Sequence, residues 1–389
     1  MDTQDPHAIT RWLGEQQEAM VDLLAELVNI DSGSYDKAGV DAVGARLTQF
    51  FSEHGIEVSV TPNAAFGDIL RAEIGDVRRG EQRHNILLLG HRDTVFPKGE
   101  ASRRPFHIQD GRAYGPGVAD MKAGLVMNAF VMAAFKRFAP HVPLVAMMTG
   151  DEEIGSNASQ DLIFQEARSA RAVFNAEPGR ASGNIVTGRK GGISYRLEIT
   201  GKAAHSGVNF TEGVNAIAEL GHKIVALHDL TNVAEGITVN VGLVSGGQSV
   251  NTTAPHASAQ FEARFVTNEQ RDALVTAIEA IVAKPDVPGA TIELIRRSHF
   301  LALVPTPESE KLAASYFQTA RDFDAHVEGE YTGGCADSGF TASAGAPTIC
   351  GVGPVGGKAH TAEEYIELPT LSQRAQILAG TIAKVFGGS

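Results

Sequence analysis

Ile86-Leu87-Leu88-Leu89-Gly90-His91-Arg92-Asp93-Thr94 sets an unbroken apolar run directly before a histidine and an aspartate. A short continuous apolar run reads as a strand buried on both faces, the kind found in a parallel sheet covered by helices. The same arrangement recurs along the chain. Val142 to Met148 leads into Gly150-Asp151-Glu152-Glu153-Ile154-Gly155, and Ala172 to Phe174 into Asn175-Ala176-Glu177-Pro178. Thr348 to Val352 leads into Gly356-Gly357-Lys358-Ala359-His360-Thr361. Met121 to Phe138, Ala158 to Arg168 and Glu308 to Phe323 read as helices between or after these strands. Two more helical stretches come first, one through Trp12, Leu13, Met20, Leu23, Leu24, Leu27 and Val28, the other from Val40 to His54, stopped by Gly55. The alternation predicts an α/β fold with a mixed, largely parallel sheet between helices.

The texture changes from about Gly188 to His299. Ile193 to Ile199, Ile237 to Val244, Ala257 to Val266 and Thr291 to Ile295 read as strands, with helices over Gly213 to His228 and Asn268 to Val282. This predicts an α+β insertion over 188–299, splitting the first domain into 1–187 and 300–389.

A chain of 389 residues exceeds what one core usually serves, so two domains are expected. Hydrophobic residues make up 43% and charged residues 20%, as in ordinary globular proteins. A net charge of −13 argues against non-specific binding to nucleic acid or an anionic membrane. Met1-Asp2-Thr3-Gln4-Asp5-Pro6 shows no basic-then-apolar leader, and no window approaches the roughly 18 apolar residues of a membrane span. Cys335 and Cys350 make no metal motif and read as free thiols, so the expected location is the cytoplasm.

In open α/β sheets ligands bind beyond the carboxyl ends of the strands, where His91, Glu152, Glu153, Glu177 and His360 would gather. Gly115-Pro116-Gly117-Val118-Ala119-Asp120 adds a carboxylate just before a helix. Each residue has a bland reading. A lone histidine is more often structural, paired acids often open a helix, and Asp120 could be a helix N-cap. The conjunction decides, because so many acids at one edge are costly without cations among them. Histidine with carboxylates is a normal zinc set, and two metals about 3.5–4 Å apart need a bridging carboxylate. One acid is left over for general acid/base work. His54, His84, His107, His222 and His326 lack such context and read as surface or structural residues.

At these residues the chain resembles the zinc-dependent carboxypeptidase and aminoacylase metallopeptidases, most closely the glutamate carboxypeptidase branch. The resemblance rests on Gly90-His91-Arg92-Asp93-Thr94-Val95, Tyr114 to Lys122, Asp151-Glu152-Glu153-Ile154-Gly155-Ser156, Glu177-Pro178 and Gly201-Lys202-Ala203-Ala204-His205-Ser206-Gly207, in that order. It implies two divalent ions, zinc first, with manganese or cobalt able to substitute. His91 and Glu177 would hold one, Glu153 and His360 the other, and Asp120 would bridge them. Glu152 would be the general acid/base, and Asp93 would orient His91. The insert would be a lid that also forms a homodimer, with His205 stabilising the oxyanion and Asn251, Arg264 and Gly334 near the substrate. Asp337 shares the Gly-rich loop.

The implied function is hydrolysis of an amide bond in an N-acyl amino acid or small peptide with a free carboxylate, releasing a C-terminal amino acid, glutamate first. The alternatives are a deacylase or amidohydrolase of another N-acyl or aromatic amide, or a non-catalytic metal-binding protein of the same fold. A serine hydrolase lacks its Gly-x-Ser-x-Gly elbow. Departures from the family pattern touch substrate choice. Arg92 fills the variable place of His-x-Asp and is expected beside the site or at the surface. Arg296, Arg297 and His299 are candidate partners for an acidic substrate group.

Overall fold

The computed structural model describes residues 7–80 and 82–387, so the Met1 to Pro6 segment lies outside the described residues. The chain divides into two compact units, Met1–Gly188 with Leu303–Thr332 and Asp337–Ser389, and Arg189–Ala302 with Gly333–Ala336.

The first unit is built on an eight-stranded sheet. Its order is Glu57–Thr61, Ile69–Ile74, Leu144–Thr149, Asn85–His91, Ala170–Asn175, Thr348–Cys350, Ile185–Arg189, Gly329–Thr332. Asn85–His91 runs parallel to both Leu144–Thr149 and Ala170–Asn175, and the latter runs parallel to Thr348–Cys350. Ile69–Ile74 and Ile185–Arg189 flank this centre as antiparallel neighbours, which makes the sheet mixed. Every residue of Asn85–His91 and Leu144–Thr149 is buried, as their continuous apolar character requires. Helices Lys37–Glu53, Ala123–Phe138 and Thr370–Gly387 supply much of the surrounding core through Val43, Leu47, Phe130, Phe135, Leu371 and Leu378.

A second, four-stranded antiparallel sheet in this unit orders Gly356–Gly357, Tyr365–Glu367, Arg112–Tyr114 and His107–Gln109. It is small, and neither apolar runs nor alternation announce it. It nevertheless joins the two loops that carry Asp120 and His360.

The second unit is a four-stranded antiparallel sheet ordered Thr238–Gly246, His256–Phe265, Gly191–Thr200, Thr291–Phe300. Ile193, Tyr195, Leu197, Ile199 and Phe261 share a core with Leu220 and Leu227 of helix Ala216–His228 and with Leu274 and Ile278 of helix Asn268–Ala283. A capping box of Thr267 and Gln270 starts the second helix.

Four expectations need correction. The opening helix is two, Ala8–Gly14 and Gln17–Val28. The helix expected from Met121 begins at Ala123, because Asp120 and Met121 have non-helical backbones, and Lys122 rather than Asp120 occupies the N-cap. Strand Thr348–Cys350 is not followed directly by the His360 segment, which hangs from the small sheet instead. Finally, Val118–Phe138 is long and apolar enough to cross a membrane. With 94% of its most apolar window buried inside the protein, this stretch, which includes helix Ala123–Phe138, packs into the core of this unit.

Candidate metal centre and active site

Strand Asn85–His91 ends on His91, which is buried. The adjacent Leu144–Thr149 hands over to the short 3-10 turn Glu152–Ile154, and Ala170–Asn175 is followed by Glu177. These three strands are parallel neighbours, so their carboxyl ends deliver one histidine and three acids to one sheet edge. Asp120 comes in beside them from the loop after Arg112–Tyr114, where Gly117 takes a left-handed φ of 71° that favours glycine. His360 lies in the turn between the paired strands Gly356–Gly357 and Tyr365–Glu367.

Asp120 stands at the centre. Its Oδ1 lies 3.1 Å from His91 Nε2, and its Oδ2 lies 3.3 Å from His360 Nε2. Glu177 Oε1 approaches His91 Nε2 at 3.7 Å, and Glu153 Oε2 approaches His360 Nε2 at 3.3 Å. Glu152 Oε2 is 3.9 Å from His91 Nε2. Asp93 organises the cluster from behind. Its carbonyl lies 2.9 Å from His91 Nδ1, which leaves Nε2 facing the acids. Its carboxylate accepts from Ser34 Oγ at 2.7 Å and from the Glu152 and Glu153 N–H groups at 3.1 Å each.

The electrostatics show how much negative charge is crowded here. Burial pushes the Glu152 carboxyl well above its ordinary range; Glu177, Asp337 and Glu153 add to this, against the pull of His91. Burial also raises Glu153, and it pushes Asp337 to about 7. Burial opposes a charge on His91, but Glu152, Asp120, Asp93 and Glu177 outweigh it and hold the ring well above its usual value. Hydrogen bonding to Asp120 and Glu153 lifts His360 to about 10. The acids therefore call for positive charge.

Two donors each about 2.0–2.1 Å from one tetrahedral zinc lie roughly 3.3 Å apart. The separations of 3.1 and 3.3 Å around Asp120 match that spacing on both of its oxygens. Two groups of mutually close donor atoms include His91, Asp120 and Glu153, and His91, Glu152 and Glu177. Glu153 Oε1 is buried with no hydrogen-bond partner among the described residues, an acceptor awaiting a charge. The donor set fits a pair of divalent cations.

The family model described as Peptidase family M20/M25/M40 matches residues 87–384, nearly the whole of the sequence that carries these donors. The chain belongs to that family. Carboxypeptidase G2 of Pseudomonas sp. (strain RS-16) is 29% identical over 96% of this chain and 91% of its own. Succinyl-diaminopimelate desuccinylase of Methylococcus capsulatus is 28% identical, covering 92% and 96%. The crystal structure of an M20 family metallo-carboxypeptidase from Sulfolobus solfataricus superposes with a TM-score of 0.76 at 18% identity, over 95% of this chain and 99% of that one, a likeness of fold.

The second unit of this M20 chain carries the remaining sequence-predicted residues. His205 forms an isolated bridge with Thr252, and Ser206 N–H donates to the Asn251 carbonyl at 3.0 Å, so His205 and Asn251 are neighbours. Arg264 does not stand free: its guanidinium donates to Glu262 Oε2 at 2.7 Å and to Cys335 Sγ at 2.8 Å. Arg189 Nη1 lies 3.4 Å from the Gly334 carbonyl and 3.2 Å from that of Cys335. Two proposed roles change. His299 is buried, and burial followed by Arg271 and Arg296 pushes it down to about 4, so it is no cationic partner at neutral pH, unlike the exposed Arg296 and Arg297. Arg92 is buried rather than at the surface; it donates to the Val40 carbonyl at 3.0 Å and to the Asp68 carbonyl.

Sequence reasoning missed Glu364 altogether. This carboxylate is fully buried and accepts from Gly117 N–H at 3.0 Å, Ala119 N–H at 2.8 Å and Asp120 N–H at 2.9 Å. An acid four positions after His360 is a faint signal, because its partners lie far away in sequence. Beside Glu153 opens a cavity of about 680 Å³, walled by Tyr35, Val95, Phe96, Pro97 and Ile154.

Proposed function

We propose that the chain is a two-metal amide hydrolase of carboxypeptidase type. It releases a C-terminal amino acid, glutamate first, from an N-acyl amino acid or small peptide. The observation that carries this reading is Asp120 reaching His91 with one oxygen and His360 with the other. His91, Asp120 and Glu177 would hold one cation, and Asp120, Glu153 and His360 the other, with zinc preferred and manganese or cobalt able to substitute. Cations held there would bring a water's pKa from 15.7 to about 7 and polarise the scissile carbonyl.

The chain's own residues do the rest. Glu152 takes the proton of the attacking water on its carboxylate and returns it to the leaving nitrogen. Its carboxylate lies 3.9 Å from His91 Nε2, at the edge of the donor cluster, where such a proton transfer is within reach. Asp93 fixes both the His91 ring and the Glu152–Glu153 turn. On the family resemblance, His205 would donate to the oxyanion, Asn251, Arg264 and Gly334 would receive the substrate, and the second unit would carry a homodimer contact. Similarity to a desuccinylase supports the second reading, a deacylase of another N-acyl metabolite. A non-catalytic chain is expected to have lost a ligand or the base, whereas His91, Asp120, Glu152, Glu153, Glu177 and His360 are all present.

Release of free amino acid from a panel of N-acyl amino acids and dipeptides tests the proposal, with metal-loaded wild type beside Glu152→Gln. The expected result is cleavage by wild type and a loss of about 10²–10⁴-fold in the variant, with metal content unchanged. Cleavage that survives in Glu152→Gln removes Glu152 from the mechanism. Metal uptake without cleavage of any panel member overturns the amide hydrolase reading.

A further inference from the structure

The turn that carries His360 also carries Glu364, and Glu364 reaches back to the loop that carries Asp120. One of its oxygens accepts from the N–H groups of Ala119 and Asp120, the other from Gly117. The Asp120 loop has no regular helix to hold it, since the backbone of Asp120 and Met121 is non-helical and the helix starts only at Ala123. Its buried N–H groups therefore need an external acceptor. Glu364 supplies it.

We infer that Glu364 is a positioning residue that sets the distance between Asp120 and His360, and so the geometry of the cation half-site formed by Asp120, Glu153 and His360. The inference rests on the two-metal reading. His91 does not depend on Glu364, because it ends a central strand and its Nδ1 is held by the Asp93 carbonyl. Asp120 and His360 both depend on it, one through the backbone bond and one through the shared turn. Only one half-site therefore has two ligands tied to Glu364. The bridging oxygen of Asp120 that faces His91 is affected as well, but that half-site keeps His91 and Glu177.

The experiment compares apo wild type, Glu364→Gln and Glu219→Gln by titration with Zn²⁺ against a chromophoric chelator, with Co²⁺ absorption spectra recorded on the same chains. Glutamine keeps the shape of Glu364 but replaces one acceptor oxygen with an NH₂ that faces a backbone donor. Glu219 is the control: it is a fully buried carboxylate in the second unit that accepts from the N–H groups of Asp286 and Val287. Both variants are expected to melt below wild type. Glu364→Gln alone is expected to bind one of its two Zn²⁺ ions about 10–100-fold less tightly, with a changed Co²⁺ spectrum for that ion. Glu219→Gln should keep both constants. Wild-type Zn²⁺ constants in Glu364→Gln, or an equal weakening in Glu219→Gln, overturn the inference while leaving the two-metal reading standing. A wild-type chain that takes up fewer than two ions overturns both.

Discussion

Arg92 sits between His91 and Asp93 in sequence, but its side chain is spent elsewhere. It bonds the carbonyls of Val40 and Asp68 and so ties helix Lys37–Glu53 and the segment before strand Ile69–Ile74 to the strand that ends on His91. A buried guanidinium is tolerated only when it is bonded in this way; here burial lowers its pKa to about 10, which still leaves it charged. His299 shows the opposite outcome for a buried base. Burial, Arg271 and Arg296 push it down to about 4, with Asp272 pulling the other way. The unfolded chain therefore takes up a proton near the ordinary histidine value that the folded chain refuses. The contribution of His299 to stability is complete above about pH 6.5 and is lost as pH falls toward 4, amounting to roughly 3 kcal/mol at most. Denaturant midpoints between pH 4 and 7 should fall more steeply for wild type than for His299→Gln; parallel curves would contradict this.

The central strands were legible because a buried strand must be apolar along its whole length, and a ligand must follow where the strand stops. Pairings such as His91 with Thr149 and Leu89 with Asn175 then bring the histidine- and acid-bearing segments side by side. The small sheet was not legible. Gly356–Gly357 and Arg112–Tyr114 are too short to show a period, and their pairing is stabilised by contacts across the chain, such as Arg112 with Glu367 at 2.8 Å and the Arg112 guanidinium 4.2 Å over the Tyr365 ring. Close packing between elements also gives a test. A Cβ on Gly124, in the first turn of helix Ala123–Phe138, would press on the carbonyl of Ala176, the residue before Glu177. Alanine usually favours a helix over glycine by about 1 kcal/mol. Gly124→Ala is instead expected to destabilise by about 1–3 kcal/mol, because the helix or the Glu177 segment must move. Equilibrium unfolding in urea measures it, and a stabilised variant would show that the contact yields freely.

For the molecule as a whole, the dominant feature is an acid-rich site inside a chain of net charge −13. Glu152, Glu153 and Asp337 are all raised by burial, so the folded state carries a cost that cations held at the proposed site would relieve. Treatment with a chelator is expected to lower the melting temperature, and Zn²⁺ at 1,000 times its Kd to restore about 4 kcal/mol per site. A melting temperature indifferent to both would mean that folding and metal binding are not linked.

The sequence by itself determined the mixed, largely parallel sheet and the chemical identity of the histidines and acids that gather at its edge. Both are local properties, because apolar period and residue type are written into consecutive positions. Only the tertiary structure decided that Asp120 faces two histidines, that Asp93 holds the Glu152–Glu153 turn, that Arg92 is buried, and that Glu364 clamps a loop 244 positions away. Those are matters of distance between segments remote in the chain. Their energy appears only once the backbone has folded and desolvated the groups concerned.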